Sequence, residues 1–207
     1  MKAILQEVLK DIKPSPEQEK EVLSSIQTML RRVQSCIPIA KVILGGSGVK
    51  GTWLQGAQDV DVFVQFPYAQ FKERSDALAD LLGEGLKKEF GKVIKLHGSR
   101  DYFHIQQNGF TFEIIPILKI TNASQAKNIT DISPLHASWV NSYGKGLKDD
   151  IRLLKQFCRA QKVYGAESYI NGLSGYICEI LVIHYKGFLK TLKAVASWKK
   201  QVVLDPS

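Results

Sequence analysis

Cysteine is scarce in this chain. Its 207 residues hold three, Cys36, Cys158 and Cys178, far apart and without the short Cys/His spacings of a zinc site, and the odd count argues against a disulfide framework. Long apolar runs are missing too: no stretch reaches the roughly 20 apolar residues that a membrane-spanning helix needs. Residues 1–12, MKAILQEVLKDI, lack the basic start, apolar middle and small-residue cleavage site of a secretory leader. There is no internal repeat and no low-complexity tract. These absences exclude a disulfide-stapled secreted scaffold and a helical membrane protein, and they set the expectation of a cytoplasmic chain with reduced thiols and no membrane partner. Acid is in short supply as well, with 20 Asp and Glu against 28 Lys and Arg for a net charge of +8, a balance that favours a polyanionic partner. What the chain does have is 44% hydrophobic residues, enough to bury a core in one sizeable domain or two small ones.

Periodicity places the elements. Ile4, Leu5, Val8, Leu9 and Ile12 have helical spacing and are stopped by Pro14. A second helix begins sharply, because Ser15 suits a cap, Pro16 the first position and Gln18 the third residue of a capping box. Strands are expected over 40–44, 59–66, 92–97, 102–107 and 110–120, with Asn108-Gly109 as a hairpin turn between the last two. A helix is expected over 68–90, and from about 147 onward the chain reads as helix, including 174–186 and 187–201. The Asn-, Ser- and Thr-rich stretch 121–146 marks the boundary between a first domain, 1–125, and a helical second domain, 126–207. In the helix after 147, Lys148, Arg152, Lys155 and Arg159 form a basic stripe, which suits a solvated face or a track for phosphates.

The stretch GGSGVKGTWLQGAQDVDVFVQF, residues 45–66, carries the chemistry. Period-two geometry sets Asp59 and Asp61 on one face of a strand while Val60 and Val62 point the other way. Two carboxylates beside a core are costly unless something positive offsets them, and a divalent cation is the strongest local compensator. Hard oxygen donors suit Mg²⁺. A third carboxylate, Glu113, lies in the apolar run FTFEIIPILKI, 110–120. Three carboxylates on neighbouring strands suit two metals that align a hydroxyl with a nucleotide's α-phosphate, so the pattern points to phosphoryl or nucleotidyl transfer. Upstream, Gly45, Gly46, Ser47 and Gly48 allow close backbone approach to a triphosphate, with a helix start beside it.

A strand, Gly-Gly-Ser, about a dozen residues, Asp-x-Asp in a strand and then a third carboxylate strand resembles the polymerase-β-like nucleotidyltransferases. The segments GSGVKGTWLQGAQDVDVFVQFP, FEIIP, ISPLHASWV, IRLLKQFCRAQKVYGAES and GLSGYICEILVIHYKGFLKTLKAVASW extend the likeness over nearly the whole chain. Within that superfamily it is similar to the archaeal-type (class I) CCA-adding tRNA nucleotidyltransferases. The resemblance implies an α+β fold, a mixed sheet flanked by helices as the catalytic head, followed by a helical neck. It implies template-independent addition of CCA to tRNA from CTP and ATP, with Asp59, Asp61 and Glu113 as catalytic metal ligands. It also assigns the nucleotide to Gly46, Ser47, Lys50, His136, Lys155 and Tyr164, roles that spacing alone does not reveal.

Departures accompany the likeness. The family typically shows Glu-x-Asp and then Asp, whereas this chain has Asp-x-Asp and then the longer Glu113, and Lys50 stands where arginine is common. The sequence ends at Ser207, where the family continues through body and tail domains. The favoured expectation is the catalytic subunit of a split enzyme, completed by a second polypeptide and acting on tRNA, with a piece cut from a longer chain as the other reading of the same ending. A stand-alone minimal nucleotidyltransferase acting on another RNA or a small acceptor is the alternative, and a non-catalytic nucleotide- or RNA-binding module is the third reading, opposed by the three carboxylates.

Overall fold

The computed structural model describes residues 1–199 and 201–205; Lys200, inside the helix expected over 187–201, and Ser207, the expected end of the second domain, lie outside the described residues. The chain forms two compact units. One, the sheet unit, comprises Ser15–Lys50 and Ala57–Ala137; the other, the helical unit, comprises Met1–Pro14, Gly51–Gly56 and Ser138–Ser207. This differs from a single cut at 125/126, because the first helix and a short crossover segment join the helical unit and the later division falls inside a helix.

The sheet unit is built on five strands, β1 (Lys41–Leu44), β2 (Asp59–Pro67), β3 (Ile94–Leu96), β4 (Tyr102–Gln107) and β5 (Phe110–Lys119), in the order β1-β2-β5-β4-β3. β2 and β5 run parallel and the other pairs antiparallel, so the sheet is mixed as expected. Asn108 and Gly109 both take positive φ, 52° and 78°, as a two-residue hairpin turn requires, and Gln107 faces Phe110 across it. One face of the sheet carries Val60, Val62, Val64 and Phe66 of β2, Phe112, Ile114 and Leu118 of β5, and Phe103 and Ile105 of β4. These share one core with Ile26, Met29 and Val33 of α2 (Pro16–Cys36) and with Leu78, Leu82 and Leu86 of α5 (Leu78–Phe90). The alternation that buries this face leaves Asp59, Asp61 and Glu113 on the other. The start of α2 is the capping box anticipated: Gln18 N donates to Ser15 Oγ at 3.2 Å, and Ser15 N to Gln18 Oε1 at 2.8 Å.

The expected helix over 68–90 is interrupted. A single turn, α4 (Tyr68–Phe71), leads into a 3₁₀ stretch, Lys72–Ala77, and α5 follows. KERSDA offers no side chain to the core, and none of its residues is buried, so packing does not enforce an α-helix there. The helix after the glycine turn is only α3 (Gly46–Lys50), since Gly51 takes φ +63°. Near the boundary the polar stretch is more ordered than its composition implied: Asn122 and Asn128 cap 3₁₀ turns, and α6 spans Ser133–Tyr143.

The helical unit packs α1 (Lys2–Ile12), α7 (Lys148–Ala160), α8 (Gly175–Tyr185) and α9 (Phe188–Val195) around Ile12, Leu54, Ile151, Leu154, Cys158, Cys178, Leu181 and Val182. Residues 161–174 are not helical, for Lys162, Gly165 and Asn171 take positive φ and Tyr164 pairs with Leu173 in an isolated bridge. α9 stops well short of 201. Cys158 and Cys178 are buried free thiols, Cys36 is half-buried, and among the described residues no helix is long and apolar enough to cross a membrane.

In the sheet unit, Asp131 anchors the chain after β5. Its fully buried carboxylate pairs with Arg100 and accepts the backbone amides of Leu118, Lys127 and Asn128 at 2.9, 3.1 and 3.0 Å. Removing one member of a buried, hydrogen-bonded ion pair typically costs about 3–5 kcal/mol. Asp131→Ala is expected to lower the unfolding free energy measured by urea denaturation by an amount in that range; a loss under about 1 kcal/mol, the scale of an exposed pair, would contradict the anchoring role.

Candidate active site

Strand register assembles the site. In the parallel β2–β5 pair, Asp61 lies opposite Glu113 and Asp59 opposite Thr111. In the antiparallel β4–β5 pair, Glu113 lies opposite His104, and Thr111 opposite Gln106. Asp61, Glu113 and His104 therefore form one row across three strands, with side chains roughly 5 Å apart at their Cβ atoms. Asp59, at the mouth of β2, is exposed, and Asp61 and Glu113 are half-buried.

The glycine turn presses on this row. Gly45 N donates to Asp61 O at 2.8 Å. Gly46 takes φ +51°, and a Cβ there would overlap Asp61 Oδ2. Any other residue at 46 would strain the backbone and also displace the carboxylate. Ser47 lies half-buried in α3, and Lys50, at its end, is buried.

Electrostatics follow from this crowding. Burial, then the Glu113 charge, and to a smaller extent Asp59, push the Asp61 carboxyl up to about 6, against a partial offset from Lys50. Like charges are thus held together by the fold. A divalent cation relieves that repulsion, and the carboxylate oxygens are the hard donors that Mg²⁺ or Mn²⁺ takes. Among the described residues no three acidic, His or Cys side chains converge on one point. The strands nonetheless set Asp61 beside Glu113, with Asp59 two residues along the same face of β2, and hard carboxylate oxygens of this kind fit a divalent metal.

Other expected site residues fall into two groups. His136 is half-buried in α6 within the sheet unit. Lys155 and Tyr164 belong to the helical unit, where both lie by the first turn of α8: a Cβ on Gly175 would sit 2.8 Å from Tyr164 Oη and 3.7 Å from Lys155 Nζ. Burial raises the Tyr164 hydroxyl above its ordinary value. Lys155 is only 3% exposed. Its ammonium donates to Glu179 Oε1 at 2.8 Å and to Thr52 Oγ1 at 3.0 Å, while Thr52 Oγ1 donates to the same carboxylate at 2.7 Å. Arg152 likewise is not a solvated stripe residue, since it donates to Trp53 O and Gly51 O at 3.0 and 2.8 Å and so ties the crossover segment to α7.

The sequence reading passed over His104 and Glu179. Both had a signal. The two-residue Asn108-Gly109 turn fixes the β4–β5 register and places His104 opposite Glu113, and Glu179 is a lone carboxylate inside the apolar run GYICEILVIHY.

Comparison with known proteins identifies the family. A family model described as a nucleotidyltransferase domain matches residues 26–136, and one described as the second domain of tRNA nucleotidyltransferase matches 149–207. The chain belongs to the nucleotidyltransferase domain family. It is 42% identical to the CCA-adding enzyme of Nanoarchaeum equitans over 93% of its own length and 48% of that protein. It is 35% identical to that of Methanosarcina mazei over 96% of its length and 45% of that protein, and 29% identical to that of Halobacterium salinarum over 99% and 46%. The chain thus spans about half the length of the curated relatives it matches. Among solved structures, a cytoplasmic RNA terminal U-transferase superposes with a TM-score of 0.62 at 21% identity, over 88% of this chain and 50% of that one. CdnC of E. coli MS115-1 with ATP does so at 0.67 and 16%, over 92% and 69%. At those identities the likeness is one of fold: the polymerase-β-like nucleotidyltransferase fold expected.

The Asp61 carboxyl keeps its proton to about pH 6 in the folded chain, whereas an unfolded Asp releases it near 4. With metal removed, this group's contribution to stability is therefore greatest below pH 4, falls between 4 and 6, and stays low above 6. Asp61→Asn is expected to unfold in urea and EDTA at pH 7.5 with about 1–3 kcal/mol more stability than the parent, the gain vanishing toward pH 4. An equal gain at both pH values, or a loss at pH 7.5, would contradict the repulsion.

Proposed function

We propose that this chain carries the catalytic head and helical second domain of an archaeal-type CCA-adding tRNA nucleotidyltransferase, extending tRNA 3′ ends with CCA from CTP and ATP. The observation that carries the reading is the register of Asp61 against Glu113 on parallel strands, with Gly46 closed against Asp61; the similarity to archaeal CCA-adding enzymes over 93–99% of the chain supports the substrate. Asp59, Asp61 and Glu113 would hold Mg²⁺, which when bound lowers the pKa of the attacking 3′-hydroxyl and neutralises charge building on the phosphates. Asp61, half-buried beside Glu113, would set where the attacking oxygen and the α-phosphate meet. Pyrophosphate leaves, and no covalent enzyme intermediate is involved.

Gly46, Ser47, Lys50, His136, Lys155 and Tyr164 are retained as the triphosphate's contacts on the strength of the resemblance, contributing position and charge. For Lys155 this requires the ammonium to exchange at least part of its hold on Glu179 for phosphate oxygen. The net charge of +8 suits a tRNA backbone. The relatives' second half, which this chain does not span, would supply body and tail domains in this reading, since the chain covers 48% and 45% of two CCA-adding enzymes. The cytoplasm is its place of action.

Labelled CTP and ATP, tRNA lacking CCA and a sequencing gel test the proposal. Slow incorporation by the chain alone is expected, with rate and C-then-A order restored by a polypeptide corresponding to the relatives' second half, and Asp61→Ala is expected to abolish incorporation with the fold intact. Robust extension of an unrelated acceptor but none of tRNA would overturn the tRNA assignment. Near-parental incorporation by Asp61→Ala would overturn the catalytic one.

A further inference from the structure

Glu113 is longer by one methylene, and one rotatable bond, than an aspartate in its place would be. On an open sheet face that freedom works against it, since an unrestrained glutamate samples several rotamers and each must be given up when its carboxylate binds an ion. The structure supplies a restraint. His104 stands directly across the antiparallel pair from Glu113, its Nε2 3.0 Å from Glu113 Oε1, and both side chains are about three-quarters withdrawn from solvent. An ionised carboxylate only accepts, so the imidazole donates, and Nε2 carries a hydrogen both in the matching neutral tautomer and in the imidazolium. The ring is itself held: Tyr102, two residues back on the same face of β4, packs edge-on against it with centroids 5.4 Å apart and planes at 68°.

We propose that His104 is a positioning residue for the metal-binding carboxylate Glu113, fixing its rotamer through Oε1 so that Oε2 is presented to the divalent cation beside Asp61. This rests on the metal-binding reading of Asp61 and Glu113. A glutamate reaches across toward β4 far enough to meet the imidazole, and the hydrogen bond removes the rotamer freedom that the added methylene introduces. His104 and Glu113 therefore form one functional pair, joined across the β4–β5 register. Hydrogen-bonded partners of metal ligands commonly change metal affinity 10- to 100-fold when removed.

The test is Mn²⁺ affinity of the full chain without nucleotide or RNA, read by electron paramagnetic resonance, with thermal unfolding in EDTA as the check on folding. Glu113→Ala is expected to weaken binding strongly. His104→Ala is expected to weaken it about 10-fold without a matching change in melting temperature. His104→Gln should stay close to the parent, because glutamine carries an amide nitrogen at the same number of bonds from Cβ. In a Glu113→Asp background, where the shorter carboxylate does not reach the imidazole, His104→Ala should change affinity less than about 2-fold, as expected when the coupled partner is gone. Parental affinity in His104→Ala, or an equal effect of that change in the Glu113 and Glu113→Asp backgrounds, would overturn the positioning role. Parental Mn²⁺ affinity in Glu113→Ala would overturn the metal reading itself, and this proposal with it.

Discussion

The parallel pairing of β2 with β5 is the constraint on which the site depends. It sets Asp61 beside Glu113 and leaves neither strand free to move them apart, because the opposite faces of the same residues' neighbours, Val60, Val62, Phe112 and Ile114, are locked into the core under α2 and α5. Period-two geometry makes the two requirements inseparable: a register that buries the valines must crowd the carboxylates. Apolar burial thus holds a like-charge arrangement together, and burial first and the Glu113 charge second raise the Asp61 carboxyl.

The glycine turn belongs to the same device. Gly45 bonds to the backbone of Asp61, and Gly46 lies where any Cβ would meet its carboxylate. The turn thereby limits the space open to the carboxylate. Lys50 and His104 act from opposite ends of the row, one offsetting charge at Asp61 and the other bonded to Glu113. In the helical unit, the Lys155–Glu179–Thr52 cluster and Arg152 secure the segment Gly51–Gly56 against α7.

How legible this was in the sequence depended on the range of the interaction involved. Alternation in DVDVFVQF, the capping box at Ser15 and the Asn108-Gly109 turn are local, and each matched the structure to within a residue or two. The carboxylate face of the sheet followed from period two alone. KERSDA failed as a helix because helical continuity there rested on flanking leucines that its own residues do not extend into the core. Of the basic stripe 148–159, read as a solvated face or a phosphate track, Lys148 and Arg159 are exposed whereas Arg152 and Lys155 are buried, because charge read along one helix does not reveal Glu179 on another or the backbone carbonyls of the crossover segment. The two units differ from a single cut at 125/126 for a similar reason: residues 1–14 and 51–56 join the helical unit through packing against α7, a long-range contact with no mark in composition.

The central claim is that the fold holds Asp61 against Glu113 for a cation to neutralise. Carbon-detected NMR of the side-chain carboxyl groups, titrated over pH with and without Mg²⁺, measures this directly. The account predicts that the Asp61 carboxyl titrates near 6 in EDTA and falls below about 4 once Mg²⁺ is bound, as an opposite charge at the carboxylate requires. Titration near the ordinary aspartate value of about 3.9 in EDTA, unmoved by Mg²⁺, would contradict it.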